Sequence, residues 1–588
     1  MKAMLLFPPH WEPMMPHLAL PSLTAYLRSH GVEVIQRDIN IEVFDRVLSR
    51  GHLTVLLRQL RRKRRLMGRK GQGTPLMRAR VQAMDWALER GWEIAADVDW
   101  AKEIIRSERF FEPELSLRAF FTLTEGLRLA SVPFFPSALH LTGYDSAYPP
   151  DSSQAILSAV QDRDLNLFRA LFERTILPQI RRERPDLVGI SLTSAHQVIA
   201  GFTLASLIKE AGVRAHITLG GKMITCWRDL LPHREGLWKL FDSAILFEGE
   251  VALLRLIEAL ERGEDLASVP NLIYRDGPRI RVNALKPPEP ADALPIPDFE
   301  GLPLDRYLAP LRVLPVAASR GCYWGRCAFC NVGYGESLHF SERRAERVAE
   351  EMMALAEAYN ARHFFFADEA LSPRMLKFLS VQLIEAGADF NWTCCARFEP
   401  GISAELLRQM RRAGCRMVLY GLESGSQRVL DWMDKGIRIE TARRILKEGA
   451  EAGIWNHAFI FFGFPGETEE EAWETVRFFN ANRGIIHSAC TGTFLLERYA
   501  GVADEAAGYG VSRLISRPER DLAYYYDYEV SSGVSSARAE EIEDQFLESL
   551  PDKPFLQFYF HDIYRFLYAS RFRDLEPLPT MLGEGSPD

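Results

Sequence analysis

Three cysteines at C-x4-C-x2-C, Cys322, Cys327 and Cys330, follow directly on the apolar run Val313 to Ala318. Such a run reads as a buried strand, so the thiols are delivered into a loop at its carboxyl end. Structural zinc takes four protein ligands, and no second cysteine pair at zinc spacing occurs in the chain. Three closely spaced thiolates suit an iron-sulfur cluster: a [4Fe-4S] cube held at three corners leaves one iron open to a small molecule. Gly321 and Gly325 let the loop turn its amides toward such a cluster.

From residue 311 onward, apolar runs alternate with helical stretches. His363–Ala367 ends in Asp368-Glu369, Phe390–Ala396 in Arg397-Phe398-Glu399, Met417–Tyr420 in Gly421-Leu422-Glu423-Ser424-Gly425, and His457–Phe462 in Gly463-Phe464-Pro465-Gly466-Glu467. A sixth run covers Ile485 to Thr491. In a βα barrel the loops after the strands build the active site, so these ends are expected to converge on the cysteine loop.

The amino-terminal part alternates in the same way. Ala3–Phe7, a helix ending at Gly31, and Val32–Ile35 open a doubly wound sheet, which resumes with Pro185–Leu192, Ala215–Leu219 closing on Gly220-Gly221, and Ser243–Leu246 leading into Phe247-Glu248-Gly249-Glu250. A helix-rich insertion, about 43–165, separates the two halves and carries Arg61-Arg62-Lys63-Arg64-Arg65, read as a solvated face, with docking of an acidic partner, substrate peptide or nucleic acid as the alternative. Its aromatics, Phe110, Phe111, Phe120, Phe121, Phe134 and Phe135, are expected to pack the insertion. Six prolines between Pro287 and Pro303 make 286–310 a semi-rigid linker. After about 500 the chain reads as a small mixed or helical domain with a disordered end from Gly583, its aromatic clusters at Tyr524–Tyr528 and Phe555–Phe560 read as packing on the barrel, with part of a substrate pocket as the alternative.

Length and composition bound the rest. With 588 residues, 47% of them hydrophobic, several domains with substantial cores are expected. A net charge of -8 gives no general case for nucleic-acid binding. No stretch of roughly 18 apolar residues exists and Pro8, Pro9 and His10 break any leader pattern, so a cytoplasmic protein without membrane attachment is expected. Eight cysteines in this length make no disulfide framework, and a reducing compartment suits a cluster.

The cysteine loop with Phe329 before its third thiol, the stretch Gly421 to Ser426 running on to Lys435-Gly436, and Gly463 to Thr468 resemble radical S-adenosylmethionine (SAM) enzymes. The preceding α/β domain, with Gly220-Gly221 and Phe247 to Glu250, and the linker Leu294-Pro295-Ile296-Pro297-Asp298-Phe299 resemble the cobalamin-binding branch of that family. The resemblance covers about residues 1 to 40 and 180 to 495. It implies an α/β chain: a Rossmann-like cobalamin-binding domain over 1–285, a linker over 286–310, a partial (β/α)6 radical SAM barrel over 311–500 and a carboxyl-terminal domain over 501–588. In two respects the sequence departs from the family. Its first cysteine gap holds four residues where three are commonest, and the Asp-x-His-x-x-Gly motif that offers histidine to cobalt is absent.

The resemblance further implies a mechanism. SAM would chelate the open iron, and an electron from the cluster would release methionine and a 5′-deoxyadenosyl radical that takes hydrogen from the substrate. Cys322, Cys327 and Cys330 would be the metal ligands. Asp368 and Glu369 would receive the methionine ammonium, Arg397 its carboxylate, Glu423 and Ser424 the ribose or methionyl part, and Phe329 with Gly463 and Gly466 the adenine. Ser191, Thr193, Gly220, Gly221, Glu248 and Gly249 would lie on the cobalamin side. The resemblance gives no catalytic acid, base or nucleophile.

The leading expectation is a cobalamin-dependent C-methyltransferase acting on an unactivated carbon of a peptide or secondary-metabolite intermediate, with an electron donor such as flavodoxin or ferredoxin. The alternatives are a non-methylating cyclase or rearrangement enzyme and a non-catalytic Fe-S/cobalamin sensor; a methylthiotransferase would call for another cluster's cysteines. His196 either faces the cobalamin or is a polar loop residue, and His10 and His17 carry the same two readings. Cys226, Cys394, Cys395 and Cys415 read as core thiols, and Cys490, near the sixth run, as packing or a barrel-facing thiol.

Overall fold

The structure, a computed structural model, describes residues 1–67, 73–332, 339–550 and 561–572. The aromatic cluster at 555–560 and the end from Gly583 lie outside the described residues. Two compact units divide the chain: Met1–Pro288 with Pro295–Pro310 and Arg517–Ala523, and Glu289–Leu294 with Leu311–Ser516 and Tyr524–Asp588.

The first unit opens with β1 (Lys2–Phe7), α1 (Ala19–Ser29) and β2 (Glu33–Asp38). The insertion then supplies α2 (Ile39–Val47), α3 (Arg50–Met67), α4 (Pro75–Ile105), α5 (Pro113–Ser131), a two-stranded hairpin of β3 (Ala138–Leu139) and β4 (Tyr144–Asp145), and the helices α6 (Ser153–Gln161), α7 (Leu167–Thr175) and α8 (Leu177–Glu183). Alternation resumes with β5 (Leu187–Ser191), α9 (Val198–Glu210), β6 (His216–Gly220), α10 (Lys222–Cys226), β7 (Ser243–Ile245) and α11 (Glu250–Arg262). The sheet runs β2-β1-β5-β6-β7 in parallel, extended by an antiparallel hairpin, β8 (Leu272–Asp276) and β9 (Arg279–Val282). Every residue of β5 is buried, as a central parallel strand covered on both faces requires. Strand order reverses between β1 and β5, and in open α/β sheets a ligand crevice lies at the carboxyl ends there.

Elsewhere in this unit the local sequence signals meet their partners. The basic run ends α3, where Arg64 pairs with Asp85 at 2.6 Å and Arg61 lies 5.3 Å over Trp92. Phe110, Phe111 and Phe120 are buried, whereas Phe121 is exposed. The proline-rich stretch from Pro295 is bound to the sheet: Gln36 donates to the carbonyls of Asp298 and Glu300, and Tyr307 donates to buried Asp38 at 2.6 Å. Arg517–Ala523 docks through Asp521, which accepts from the Ser153 amide and hydroxyl at 2.7 and 2.6 Å. The stretch 501–588 is therefore divided between the two units.

The second unit is built on β10 (Val313–Val316), followed by a short antiparallel pair, β11 (Ser319–Arg320) and β12 (Ser341–Glu342). Then come α12 (Ala345–Tyr359), β13 (His363–Phe366), α13 (Pro373–Glu385), β14 (Asn391–Ala396), α14 (Ala404–Arg412), β15 (Cys415–Glu423), α15 (Gln427–Trp432), α16 (Ile439–Glu451), β16 (Trp455–Ile460), α17 (Glu469–Ala481) and β17 (Ser488–Cys490). The six strands β10-β13-β14-β15-β16-β17 pair in that order, all parallel, which is the sheet of a partial (β/α)6 barrel. Helix starts follow side-chain caps: Ser372 and Ser403 accept from the first turns of α13 and α14, and Thr468 with Glu471 forms a capping box on α17.

The remainder adds β18 (Leu496–Glu497), α18 (Gly501–Asp504), β19 (Val511–Ile515), β20 (Tyr525–Val530), α19 (Ser536–Ser549) and α20 (Asp562–Arg571). The three strands form an antiparallel sheet in the order β18-β20-β19, so the tyrosine-rich stretch is its central strand. Tyr526 and Tyr528 pack on a core of Phe464, Phe494 and Leu496 that also receives Ala328 and Phe329 of the cysteine loop. The loop thus rests on an apolar floor. Buried residues of α20 pack on the barrel sheet, with Phe566 against His363 at 5.7 Å.

Candidate active site

The cysteine loop is held at its base by contacts that do not involve the thiols. Asp368, directly after β13, accepts from the Ala318 amide at 3.1 and 3.0 Å and from the Ser319 hydroxyl at 2.6 Å. Burial pushes this carboxyl up to about 6 against those hydrogen bonds, which favour its charged form. Arg343, which pairs with buried Glu351 at 2.8 Å, donates from its amide to the carbonyl of Ala318 and from its guanidinium to that of Ala317. Farther along, the Ala328 amide donates to the Met433 carbonyl, and the Val502 amide to the Ala328 carbonyl.

Gly321 and Gly325 both have positive φ, +74° and +58°, and carry the loop through turns that a side chain would strain. Within it the Cys330 amide donates to the Cys327 carbonyl at 3.0 Å. All three thiols are free; Cys327 is buried and Cys322 and Cys330 are partly exposed. Among the described residues, no three His, Cys, Asp or Glu side chains close on one metal ion. In a [4Fe-4S] cube each of the three thiolates would bind a separate iron. Burial pushes the Cys330 thiol up to about 12 and also raises that of Cys327, while Lys435 and Arg397 pull Cys327 back toward the thiolate.

Four strand ends meet this loop. Besides Asp368, Arg397 after β14 reaches Cys327 Sγ at 3.8 Å, the Lys435 carbonyl, and Glu399 at 2.9 Å, and lies 4.4 Å over the Trp324 ring. Glu399 also accepts from the Tyr323 hydroxyl at 3.3 Å. At the end of β15, Glu423 accepts from Lys435 Nζ at 2.7 Å, both side chains buried, and Lys435 stands 5.5 Å from the Phe329 ring. Glu423 holds this position with φ +64°, a left-handed conformation that costs a non-glycine residue on the order of 1–3 kcal/mol. After β16, Phe461 meets Phe329 edge to face at 5.3 Å.

The expected SAM contacts divide by what already occupies them. Asp368 is engaged in pinning the loop, and Arg397 is bound to Glu399, Cys327 and the Lys435 carbonyl. Ser424 is fully buried, its hydroxyl hydrogen-bonded to Thr475 and to the Ser426 amide. Glu369 is exposed, and its charge acts on Cys330. Gly463 and Gly466 both have positive φ, and the Gly463 amide donates to Glu467 at 2.6 Å. Sequence alone does not single out Glu399, Trp324 or the side chain of Lys435: Glu399 meets Tyr323, 76 residues before it, and Trp324 meets Asp434, 110 residues after it.

Burial raises the Glu467 carboxyl to about 7, against 4.5 in a free chain. The folded protein therefore keeps this proton where the unfolded chain has lost it, and stability falls as pH rises from about 4.5 through about 7, by about 3 kcal/mol. Chemical denaturation across this range is expected to show a shallower pH slope for Glu467→Gln than for the wild type.

In the first unit, the expected cobalamin-side residues lie at strand carboxyl ends. Ser191 ends β5, and Thr193 donates from its amide to Gln197 at 2.7 Å. Gly220 ends β6; at Gly221, φ +96°, a Cβ would stand 2.5 Å from the Leu192 carbonyl oxygen. Glu248 and Gly249 follow β7, and Gly249 packs on Leu23, where a Cβ would approach to 3.3 Å. His10 is buried with Nε2 on the His140 carbonyl, and His17 stacks on Phe7 at 4.9 Å. His196 is exposed, with Nδ1 at the Tyr144 backbone. Cys226, Cys394 and Cys415 are buried, Cys395 is partly exposed, and Cys490 is exposed at the end of β17. Among the described residues no helix is long and apolar enough to cross a membrane.

Comparisons with known proteins bear on both units. Residues 316–479 match the radical SAM superfamily. An uncharacterized methyltransferase of Pyrococcus horikoshii is 29% identical over 348 residues, 56% of this chain and 72% of that protein. The anaerobic magnesium-protoporphyrin IX monomethyl ester cyclase of Rubrivivax gelatinosus is 28% identical over 320 residues, 52% of this chain and 56% of the cyclase, so the chain spans little more than half of that relative. Among solved structures, the radical S-adenosylmethionine methyltransferase TsrM of Kitasatospora setae, with cobalamin and a [4Fe-4S] cluster bound, aligns over 97% of this chain and 98% of its own with a TM-score of 0.58. At 15% identity that likeness is one of fold.

Proposed function

We propose, from the premise that residues 316–479 make this chain a radical SAM enzyme, that it is a cobalamin-dependent methyltransferase acting on an unactivated carbon of a small molecule or peptide. The observation that carries the reading is a loop of three free thiols on which four barrel strand ends converge, in a chain that also has a doubly wound sheet whose strand order reverses between β1 and β5. Cys322, Cys327 and Cys330 would hold the cluster, and the carboxyl ends of β1, β5, β6 and β7 the cobalamin. When bound, the cluster supplies the electron that splits SAM, and cobalamin supplies a transferable methyl group.

The chain's own residues prepare these steps. Asp368 fixes the entry of the loop, and Arg397 and Lys435 place two positive charges beside Cys327, which offsets the burial of its thiolate. Glu369, exposed near Cys330, is open to the methionine ammonium, whereas Asp368 is buried at the loop entry. Phe329 and Phe461 line an apolar wall that suits adenine and keeps water from the radical. An external reductant such as flavodoxin or ferredoxin completes the reading.

The match to the Rubrivivax cyclase favours a second reading, an oxidative cyclisation without methyl transfer. Turnover with SAM labelled on its methyl group separates the two. The proposal predicts labelled product and S-adenosylhomocysteine; an unlabelled product with deoxyadenosine as the sole cleavage product overturns it in favour of cyclisation.

A further inference from the structure

Register gives the barrel sheet two faces that differ in what covers them. Paired positions of neighbouring parallel strands point the same way, so Phe365, Cys395, Gly421, Phe459 and Cys490 share one face, and His457, two residues before Phe459, lies on it as well. The other face is closed. Phe364, Cys394, Val418, Tyr420 and Ala458 have no exposed surface, and α16 bonds from that side, its Leu446 carbonyl accepting from Asn456 Nδ2 at 2.6 Å.

The first face is covered where the strands begin. There α20 lies across it: Ser570 Oγ is 3.1 Å from His363 Nε2, the Phe566 ring meets that of His363, and Asp562 Oδ1 is 3.9 Å from His457 Nε2. Farther along, Phe365, Cys395, Gly421 and Phe459 are partly exposed and Cys490 is exposed. Four of these belong to strands paired on both sides, so their exposure is toward a hollow: the inner face encloses a lumen with aromatic walls and α20 as its floor.

The polar groups of this lumen gather at its floor and at its β17 edge. Asp562, the first residue of α20, pairs with Arg565 at 2.8 Å. Glu543 of α19 accepts from Thr491, directly after β17, at 2.7 Å, and among the described residues no cation pairs with it. Burial raises the Cys490 thiol; Asp562 adds to this, Arg565 opposes it, and Glu543 and Glu423 add to it again, so these carboxylates act on the open thiol of the lumen. Glu423 has its counter-charge in Lys435. His457 leaves a polar group open at the same floor. Its ring is fully buried with Nδ1 2.8 Å from Ser488 Oγ, and Nε2, toward Asp562, has no hydrogen-bond partner, whichever tautomer it adopts.

We propose that this lumen takes a substrate with a basic nitrogen, seated between Glu543 and Asp562 beside His457, with its apolar part along Phe365 and Phe459. This rests on the reading of the barrel as the chamber where the substrate reacts. Asp562 is balanced by Arg565 and Glu543 is not, so the floor carries a net negative charge that an ammonium completes. Both carboxylates come from α19 and α20, outside the residues that match the radical SAM superfamily, which makes substrate choice a property of the carboxyl-terminal segment.

The test uses the full chain with its cluster reconstituted and reads modification of Cys490 by peptide mass mapping. A trimethylammonium-bearing methanethiosulfonate is expected to react about tenfold faster than a sulfonate-bearing one, each rate taken relative to that on free cysteine. Glu543→Gln, which keeps an oxygen for Thr491, and Asp562→Asn are each expected to remove most of this preference. Phenethylamine is expected to protect Cys490 in the wild type and not in Glu543→Gln, and phenethyl alcohol in neither. A preference for the anion or for neither reagent, or protection by both probes or by neither, overturns the proposal. None of these readings needs SAM cleavage or methyl transfer, so missing adenosyl products with the preference intact would count against the methyltransferase reading alone.

Discussion

Replacing Cys322, Cys327 and Cys330 together by alanine is expected to give a folded protein that binds no cluster iron and no longer cleaves SAM. The fold survives because the loop is secured elsewhere: Asp368 holds Ala318 and Ser319, the Met433 carbonyl holds the Ala328 amide, and the Trp324 indole donates to the Asp434 carbonyl at 2.8 Å. The thiols contribute little to that scaffold, two of the three being partly exposed. Buried Cys394 and Cys415 are the control with the opposite profile. Alanine at either of these core positions lowers stability by about 1 kcal/mol through lost packing while cluster content stays at the wild-type level. Iron and sulfide analysis after anaerobic reconstitution, with mass analysis of SAM products, reads both halves of the prediction.

Lys435→Met is expected to destabilise the second unit by about 3–5 kcal/mol, because it leaves the Glu423 carboxylate buried without its counter-charge. Burial pulls the Lys435 ammonium down, and Glu423 more than reverses this, so the folded-state pKa is raised. The double variant Glu423→Gln/Lys435→Met removes both charges and is expected to recover most of the loss. Denaturant midpoints of the wild type, both single variants and the double variant give the coupling directly. A Lys435→Met midpoint equal to wild type would show that the pair does not hold the end of β15. The same ammonium stands beside Cys327, so this ion pair links the stability of the strand end to the charge around the cluster loop.

The barrel was legible because each strand announces its own end: an apolar run closes on Asp368, Arg397, Glu423 or Gly463, and the parallel order follows from the intervening helices. The cysteine loop was legible from spacing alone. What spacing does not carry is the occupation of each polar group. Asp368 and Glu369 are adjacent, yet one is locked to the Ser319 hydroxyl and the other is exposed, a difference set by a contact 49 residues away. Ser424 lies in a motif that suggests a ligand contact, but its hydroxyl is taken by Thr475 on α17. The hairpin of β8 and β9 is not evident from the sequence although Asp276-Gly277 is a turn signal, because the exposed run from Arg275 to Arg279 and the mostly exposed β9 resemble a polar loop. The tyrosines from Tyr524 read as a cluster, whereas alternation along β20 turns Tyr526 and Tyr528 toward the core below the cysteine loop.

The account's central claim is tested most directly by reconstituting the full chain anaerobically with iron, sulfide and cobalamin, adding SAM and a low-potential reductant, and quantifying adenosyl products by mass spectrometry. The account predicts 5′-deoxyadenosine that depends on the three loop cysteines and S-adenosylhomocysteine that depends on cobalamin. A preparation with a full cluster that forms neither product above the level of the triple-alanine variant would contradict it.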